Sequence, residues 1–573
     1  MSDRVIPHMS PSDFRAQAHR AIDFIADYLA SIESRPVLSQ LKPNDIYNML
    51  PVHAPELSAL SRGSALSGSH SGIDTEWSSI FSDLEQTILP GLTHWQSPNF
   101  FAFFPSDTSY PSIIGELLSA GLGVQGMLWL TSPACTELET KVLDWLGELI
   151  GLPREFLSDG ADPKLADHGR GNGGGNGGGV IEGTASEATL VALCAARHRV
   201  RCRNPLPEGG GLGVGELSSL PSHSATAPLR HPATSPHFTI YCSTQAHSSV
   251  IKAAMIAGLA TSPDDRTHLR LIDTDTNFAM DPAALERAIR DDLKRGFTPT
   301  YVVATVGTTS STAIDPIDKI AGVLRDTGCD KLGTWLHIDA AHAGAACVCP
   351  EFRSMLAGVE SADSIAFNPH KWLLTNFDCN CFYTRDRRSL TGALSITPEY
   401  LRNRGTDSGA IDYRDWQIPL GRRFRALKLW LVLRHYGAEG LREHIREHIR
   451  LSELFESLVR ADSRFEIVAP RSMNLICFRY RGESEARNRK HPPSPPSSPF
   501  AKGGGGASPE GVSTDLDSIN KRLVDSLNQS GKLYLTHTVL PGIGYTIRFC
   551  IGATLTQEHH VRAAWELIRQ TAG

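Results

Sequence analysis

A lysine that directly follows a short apolar strand is placed to use its amine in chemistry. The segment Ser361-Ala-Asp-Ser-Ile-Ala-Phe-Asn-Pro-His-Lys-Trp372 reads as such a strand. Asn368-Pro369 closes it, because proline cannot extend a ladder. His370 and Lys371 then stand at the strand's carboxyl end, the edge where open α/β sheets hold their ligands. An ε-amine that can lose its proton there forms an imine with an aldehyde. A second segment, His337-Ile-Asp-Ala-Ala-His-Ala-Gly344, puts Asp339 at the end of an apolar strand over 334–338, beside two small residues. Small neighbours leave room for a flat ring, and a carboxylate can keep a ring nitrogen protonated so that the ring accepts electrons. Taken singly, both have plainer readings: most lysines solvate a surface, and an Asp at a strand end commonly caps the next element.

An anion site fits beside them. Gly183-Thr-Ala-Ser186 precedes a helical pattern over 187–199, so backbone amides and the Ser186 hydroxyl face outwards with the helix dipole behind them. An imine-forming amine, an acid for a ring nitrogen and an anion cradle are the needs of pyridoxal phosphate.

These segments resemble a family. Asn368-Pro-His-Lys-Trp372, Asp339-Ala-Ala341 and Gln245-Ala-His-Ser-Ser249 are similar to the group II pyridoxal-phosphate decarboxylases, and more narrowly to the aromatic-L-amino-acid (tryptophan, tyrosine and dihydroxyphenylalanine) branch. Thr93-His-Trp-Gln-Ser-Pro98, Ser132-Pro-Ala-Cys-Thr-Glu-Leu-Glu139, Gly183-Thr-Ala-Ser-Glu-Ala-Thr189 and Trp416-Gln-Ile-Pro-Leu-Gly-Arg-Arg-Phe424 extend the likeness over nearly the whole chain outside its low-complexity stretches.

The resemblance implies roles. Lys371 would carry pyridoxal 5'-phosphate as a Schiff base, and Asp339 would pair with the pyridine nitrogen. His247 would stack on the ring and contact the substrate, with Ala341 on the opposite face. Ala185, Ser186, Asn368 and His370 would bind phosphate, and Thr309 would lie near the ring, where sequence alone favours a turn role. Trp95, Phe103, Phe104, Pro105, Ser106 and Met127 would set substrate choice, although without the resemblance the aromatics read equally well as core. Ser106 replaces a common threonine, Met127 stands where animal members carry Phe, and His342 stands where many have Tyr; the last two bear on specificity. Gly421, shared with plant indole-specific members, leans weakly towards tryptophan-like substrates.

Three functions follow from that scaffold: decarboxylation of an aromatic L-amino acid to its arylalkylamine, oxidative decarboxylation–deamination to an aryl acetaldehyde, or a non-catalytic homologue. Within the family a loop tyrosine goes with amine formation and phenylalanine with aldehyde. Loop 390–400 ends in Tyr400, and His247, Lys371 and Asp339 are all present, so the amine is the expected product. The implied architecture is the type I pyridoxal-phosphate α/β fold. It comprises an N-terminal swapped helical segment (1–109), a large cofactor domain with a mainly parallel sheet (110–428) and a small C-terminal α/β domain (429–573). The implied assembly is a homodimer with its site at the interface.

The elements that must position these residues can be read directly. Strand-like runs at 237–241, 300–305, 334–338 and 364–367 alternate with helical patterns at 281–294 and 315–326, as in a parallel α/β sheet. Residues 12–34 form an amphipathic helix, capped by Ser12 or Asp13, whose apolar stripe suits either another subunit or its own domain. Gly169–Gly179, 203–236 and 484–512 are rich in Gly, Pro and Ser and read as disordered insertions near 163–179, 203–236 and 484–512. The run GGGNGGG lacks the Lys-Ser/Thr of a phosphate-binding P-loop. His444-Ile-Arg-Glu-His448 matches a zinc-peptidase spacing, but its Arg/Glu-rich setting reads as a solvated helix face.

Composition agrees with an enzyme of this kind. The 573 residues are 41% hydrophobic and 21% charged, with a net charge of −6, which gives no footprint for nucleic acid or an anionic membrane. The opening residues form no apolar signal core and no run reaches a membrane span. The expectation is a cytoplasmic protein whose 11 cysteines stay reduced, without a zinc site.

Overall fold

The computed structural model describes residues 9–54, 71–158, 177–203, 237–396, 410–482 and 510–573. Contacts divide the chain into two units. One comprises 107–449 with 469–473, and the other 1–106, 450–468 and 474–573.

The first unit is built on a seven-stranded sheet. Its strands are β1 (Gly178–Glu182), β2 (Phe238–Ser243), β3 (Leu269–Ile272), β4 (Thr298–Thr305), β5 (Trp335–Asp339), β6 (Ser364–Phe367) and β7 (Asn380–Thr384). They lie in the order β1-β7-β6-β5-β4-β2-β3. Strands β3, β2, β4, β5 and β6 pair in parallel. β7 is antiparallel to both β6 and β1, so β1 runs with the parallel set. Side chains alternate between two cores: Val302, Ala304 and Ile338 enter one, while Tyr301, Val303 and Trp335 enter the other. A sheet covered on both faces explains why these strands read as unbroken apolar runs. The helix Pro282–Lys294 starts where Asp281 caps the Ala283 amide; Ile317–Asp326 follows β4.

The second unit holds the strands β8 (Phe465–Ile467), β9 (Leu475–Tyr480), β10 (Thr536–Leu540) and β11 (Gly544–Cys550). They form a four-stranded sheet in the order β10-β11-β9-β8. Phe455, Phe478, Phe549 and Trp565 fill its core. The N-terminal helix spans Pro11–Ser31 and is capped by Ser10, whose hydroxyl accepts the Asp13 amide. The cap thus lies two residues before the earlier of the two expected, because Pro11 takes the first helical position, where its missing N–H costs nothing.

The glycine-rich segment ends earlier than composition indicates. Gly178 and Gly179 belong to β1 and are buried. A Cβ on Gly177 would lie 1.9 Å from the Glu155 carbonyl oxygen, and one on Gly179 3.0 Å from the Tyr383 ring. These glycines permit close backbone approach, which composition cannot distinguish from linker. Likewise Glu510–Val512, expected in an insertion, begin the helix Glu510–Gln529.

Two of the sequence motifs prove to be halves of one buried ion pair. Arg422 Nη2 donates to Glu139 Oε1 at 2.6 Å, with neither side chain exposed. Arg422 also donates to Gln417 Oε1 at 2.8 Å and to the Ile181 carbonyl at 3.1 Å, and Glu139 accepts the Ile181 amide at 2.8 Å. The pair therefore ties 132–139 and 416–424 to β1, the strand that leads into the Gly183–Ser186 turn. Removing one partner strands a buried charge, so Arg422→Met is expected to cost about 3–5 kcal/mol. A urea-unfolding midpoint equal to that of the unsubstituted protein would contradict this.

All eleven cysteines are free thiols, nine of them buried. Burial pushes Cys135, Cys242 and Cys347 up to about 12, which leaves them inert.

Candidate active site

Because β1 and the parallel strands share a direction, the connections after β1, β2, β4, β5 and β6 all leave one edge of the sheet. β5 lies between β4 and β6, so Asp339 is flanked by the strands that lead to Thr309 and to Lys371. Asp339 is the last residue of β5, in register with Thr305 and Ala366. It is buried, and its Oδ1 accepts the Ala341 amide at 3.0 Å. The chain beyond it is packed down tightly, since a Cβ on Gly344 would lie 2.7 Å from Phe367 Cβ and 2.9 Å from Ala340 Cβ. Ala341 is left partly exposed beside the carboxylate.

Lys371 is half-buried in the one-turn helix Pro369–Trp372 after β6, its amide donating to the Asn368 carbonyl at 3.0 Å. His247 lies in the turn between β2 and the helix Ser249–Ile256, with its Nδ1 accepting the Ser249 amide at 3.1 Å. The neutral ring therefore carries its proton on Nε2. Desolvation holds the imidazole below its usual range, Lys371 pushes the same way and Asp339 opposes them. His247 thus lies within electrostatic reach of both Asp339 and Lys371, and its ring is neutral at neutral pH.

The anion end is made of donors. Ala185 and Ser186 open the helix Ala185–Arg203, and Ser186 is exposed. His370 accepts the Cys379 amide on Nδ1 at 2.9 Å, and burial, then Lys371, push it down to about 3. It is therefore a neutral ring with an N–H on Nε2. Asn368 Oδ1 accepts from Asn380 Nδ2 at 2.5 Å, so its own amide offers N–H groups. Thr309 is exposed in the turn after β4. An amine, a buried acid and this set of donors fit pyridoxal phosphate.

Several contributors escape sequence reading. Glu182 ends β1 fully buried, and burial, then Glu187, raise it well above the usual carboxylate range. Burial thus disfavours a negative charge behind the anion cradle. Asp378 pairs with Arg425 at 2.9 Å, and both approach Gly183, where a Cβ would lie 3.5 Å from Asp378 Oδ2 and 3.9 Å from Arg425 Nη2. The only sequence signal was the basic run Arg422-Arg423-Phe424-Arg425.

The residues expected to set substrate choice are divided. Met127 is half-buried in the first unit, its carbonyl accepting the Arg414 amide at 3.1 Å. Trp95, Phe104, Pro105 and Ser106 belong to the second. There Trp95 stacks on Phe103 at 5.6 Å, and the Arg548 guanidinium lies 5.3 Å from the centre of the Phe104 ring. Pro105 is buried and the Ser106 carbonyl accepts from Gln96 at 2.5 Å. Tyr400 lies outside the described residues.

His342 packs its ring against Trp372 at 4.9 Å and is buried, beside the lysine turn. One expectation is corrected. The His444–His448 face is not solvated. His448 is 2% exposed and accepts the Trp372 indole N–H at 2.9 Å, while His444 meets Asp107 at 3.2 Å. Charge periodicity misread this face because its charged neighbours point elsewhere on the helix. Among the described residues, Glu33, His559 and His560 also converge. However, His560 Nδ1 accepts the Gln557 amide at 2.9 Å, which keeps the ring proton on the nitrogen facing Glu33 and off the list of ligands.

Comparison with known proteins decides the family. The model of the pyridoxal-dependent decarboxylase conserved domain matches residues 64–205 and 223–481. The chain belongs to that family. It falls in the aromatic-amino-acid branch of these pyridoxal-phosphate-dependent carboxy-lyases. Tryptophan decarboxylase 1 of Oryza sativa subsp. japonica is 41% identical over 98% of this chain and 94% of its own length. Phenylacetaldehyde synthase of Arabidopsis thaliana is likewise 41% identical, over 100% of this chain and 98% of its own. The crystal structure of Oryza sativa TDC with PLP and tryptamine matches with a TM-score of 0.80 and 39% identity over 99% of both chains. The family's cofactor is thus the one that the sheet edge fits.

Proposed function

We propose that this pyridoxal-dependent decarboxylase converts aromatic L-amino acids to arylalkylamines and carbon dioxide, with tryptophan-, tyrosine-, phenylalanine- and dihydroxyphenylalanine-like substrates as the class. The observation that carries the reading is that Asp339, Lys371 and His247 end or follow β5, β6 and β2 at one edge of the sheet, with His247 within electrostatic reach of the other two. Pyridoxal phosphate, when bound, supplies the sink for the electrons of the breaking bond to the carboxylate. Asp339 holds the ring nitrogen protonated and Lys371 Nζ anchors the cofactor and moves protons near it. His247 covers one face with Nε2–H available to the substrate carboxylate, and Ala341 leaves the other face flat. Ala185, Ser186, Asn368 and His370 hold the phosphate, with Thr309 beside the ring. Trp95, Phe104, Pro105, Ser106 and Met127 receive the aromatic side chain.

The working form in this reading is a cytoplasmic homodimer. Ile114, Leu117, Leu118 and Leu122 are each more than 45% exposed on the helix Tyr110–Leu122, an apolar face suited to a second copy. Among the described residues, no helix is long and apolar enough to cross a membrane.

The likeness to a phenylacetaldehyde synthase keeps a second product in view, and Tyr400 separates the two. A phenol delivering a proton to the substrate carbon that has lost carbon dioxide yields the amine before oxygen intervenes. Tyr400→Phe is expected to bind cofactor normally but divert product from amine to aldehyde, with hydrogen peroxide and ammonia. Product analysis under air with tryptophan and dihydroxyphenylalanine checks both proteins. Unchanged amine yield removes Tyr400 from the mechanism, whereas aldehyde from the unsubstituted protein makes it an acetaldehyde synthase.

A further inference from the structure

The helix that carries Lys371 is a single turn, Pro369–Trp372, and Leu374 just beyond it has φ of +53°. One turn does not hold itself together in water, so its geometry is imposed by what it touches. The residues on either side of Lys371 lead back to the same place. On one side the His370 carbonyl accepts the Asp107 amide at 3.0 Å. On the other, the Trp372 indole N–H donates to His448 Nδ1 at 2.9 Å. The His448 ring contacts His444 edge-on at 4.4 Å, and His444 Nε2 meets Asp107 Oδ2 at 3.2 Å. Asp107, His448 and Trp372 are each no more than 2% exposed. Trp372 is also flanked by two rings, with His342 at 4.9 Å and 13° and His448 at 6.4 Å and 5°.

We propose that Asp107, His444, His448 and Trp372 form a closed clamp around Lys371, in which they are positioning residues that hold the lysine turn in its cofactor-binding geometry. Chemistry sets the sense of each link. An indole N–H can only donate, so His448 must present a bare Nδ1 and remain neutral while the bond lasts. Asp107 holds the turn twice, through its own amide before Lys371 and through the two histidines after it. Ser109 reinforces the seam, its hydroxyl donating to the Leu374 carbonyl at 2.6 Å.

The test uses the full-length holoprotein and variants His448→Leu, His448→Gln, Trp372→Phe and Asp107→Asn. The measurements are the dissociation constant for pyridoxal phosphate, the pH titration of its visible absorption, and kcat and KM. His448→Leu and Trp372→Phe are each expected to weaken cofactor binding by about tenfold, the scale for losing one supporting partner. They should shift the absorption titration and lower kcat with KM changed less than about twofold. His448→Gln, whose amide oxygen can accept the indole N–H, should recover most of the loss. The double variant of His448→Leu and Trp372→Phe should be no worse than either single one, since both break one bond. Cofactor affinity and absorption titration unchanged in Trp372→Phe, or equal losses in His448→Gln and His448→Leu, would overturn the clamp. If His448→Leu does not fold, Asp107→Asn, which keeps side-chain size, and Trp372→Phe, which keeps an aromatic ring between the two histidines, decide the matter by the same readouts. The inference rests on Lys371 being the cofactor lysine. Borohydride labelling at another lysine ends that assignment, whereas labelling at Lys371 with unchanged affinities ends this one.

Discussion

Lys371→Ala is expected to lose turnover by on the order of a thousandfold or more, the scale on which an enzyme suffers when its covalent nucleophile is deleted. The fold should survive. Alanine suits a helical turn, and the bonds that pin the turn come from His370 and Trp372 and from backbone groups. Borohydride reduction of the unsubstituted protein should fix the cofactor on the peptide containing Lys371, seen by mass spectrometry. The variant should give no such adduct while melting within a few degrees of the parent. Small primary amines added to the variant should restore part of the rate, because they replace the lost group without its tethering advantage. An adduct on any other lysine, or a variant retaining more than about a tenth of the rate, would show that Lys371 does not play this part.

What could be read from sequence was whatever local pattern determines. The strand at 364–367 and the acid at the end of the neighbouring strand at 335–339 were legible because buried parallel strands are short apolar runs and their ends carry the chemistry. The anion cradle was legible because a helix start has its own signature. What could not be read depends on packing between distant segments. Gly178 and Gly179 look like linker until Trp416 and Tyr383 are seen pressing on the backbone. The Arg/Glu periodicity around 444–448 says solvent, but Trp372 and Asp107 come from other parts of the chain to cover the two histidines. The helix Arg425–Ala461 also turns at Gly437, where φ is +62°, and nothing in its apolar spacing announces the kink. The raised carboxyl of Glu182 could not be recognised, since that depends on complete burial and on Glu187.

Asp339→Asn is expected to lower kcat by at least about a hundredfold, or roughly 2.7 kcal/mol of transition-state stabilisation. The substitution is conservative in shape. An asparagine oxygen can still accept the Ala341 amide that now bonds to Oδ1 at 3.0 Å, so the sheet edge and the flat surface at Ala341 should persist. What is removed is the negative charge that keeps a ring nitrogen protonated, and with it most of the ring's capacity to accept electrons as carbon dioxide leaves. The same charge acts on His247. Desolvation and Lys371 lower that imidazole, and Asp339 alone raises it. Without the carboxylate both remaining effects act in one direction, so in the variant His247 should titrate at lower pH than in the parent. Its ring protons, followed by NMR in the apoprotein, provide a reading independent of turnover. A large loss of kcat with His247 displaced downwards places Asp339 at the ring nitrogen and within reach of the stacking histidine. Near-normal kcat would assign the ring nitrogen to another acid, and an unmoved His247 would separate the two residues.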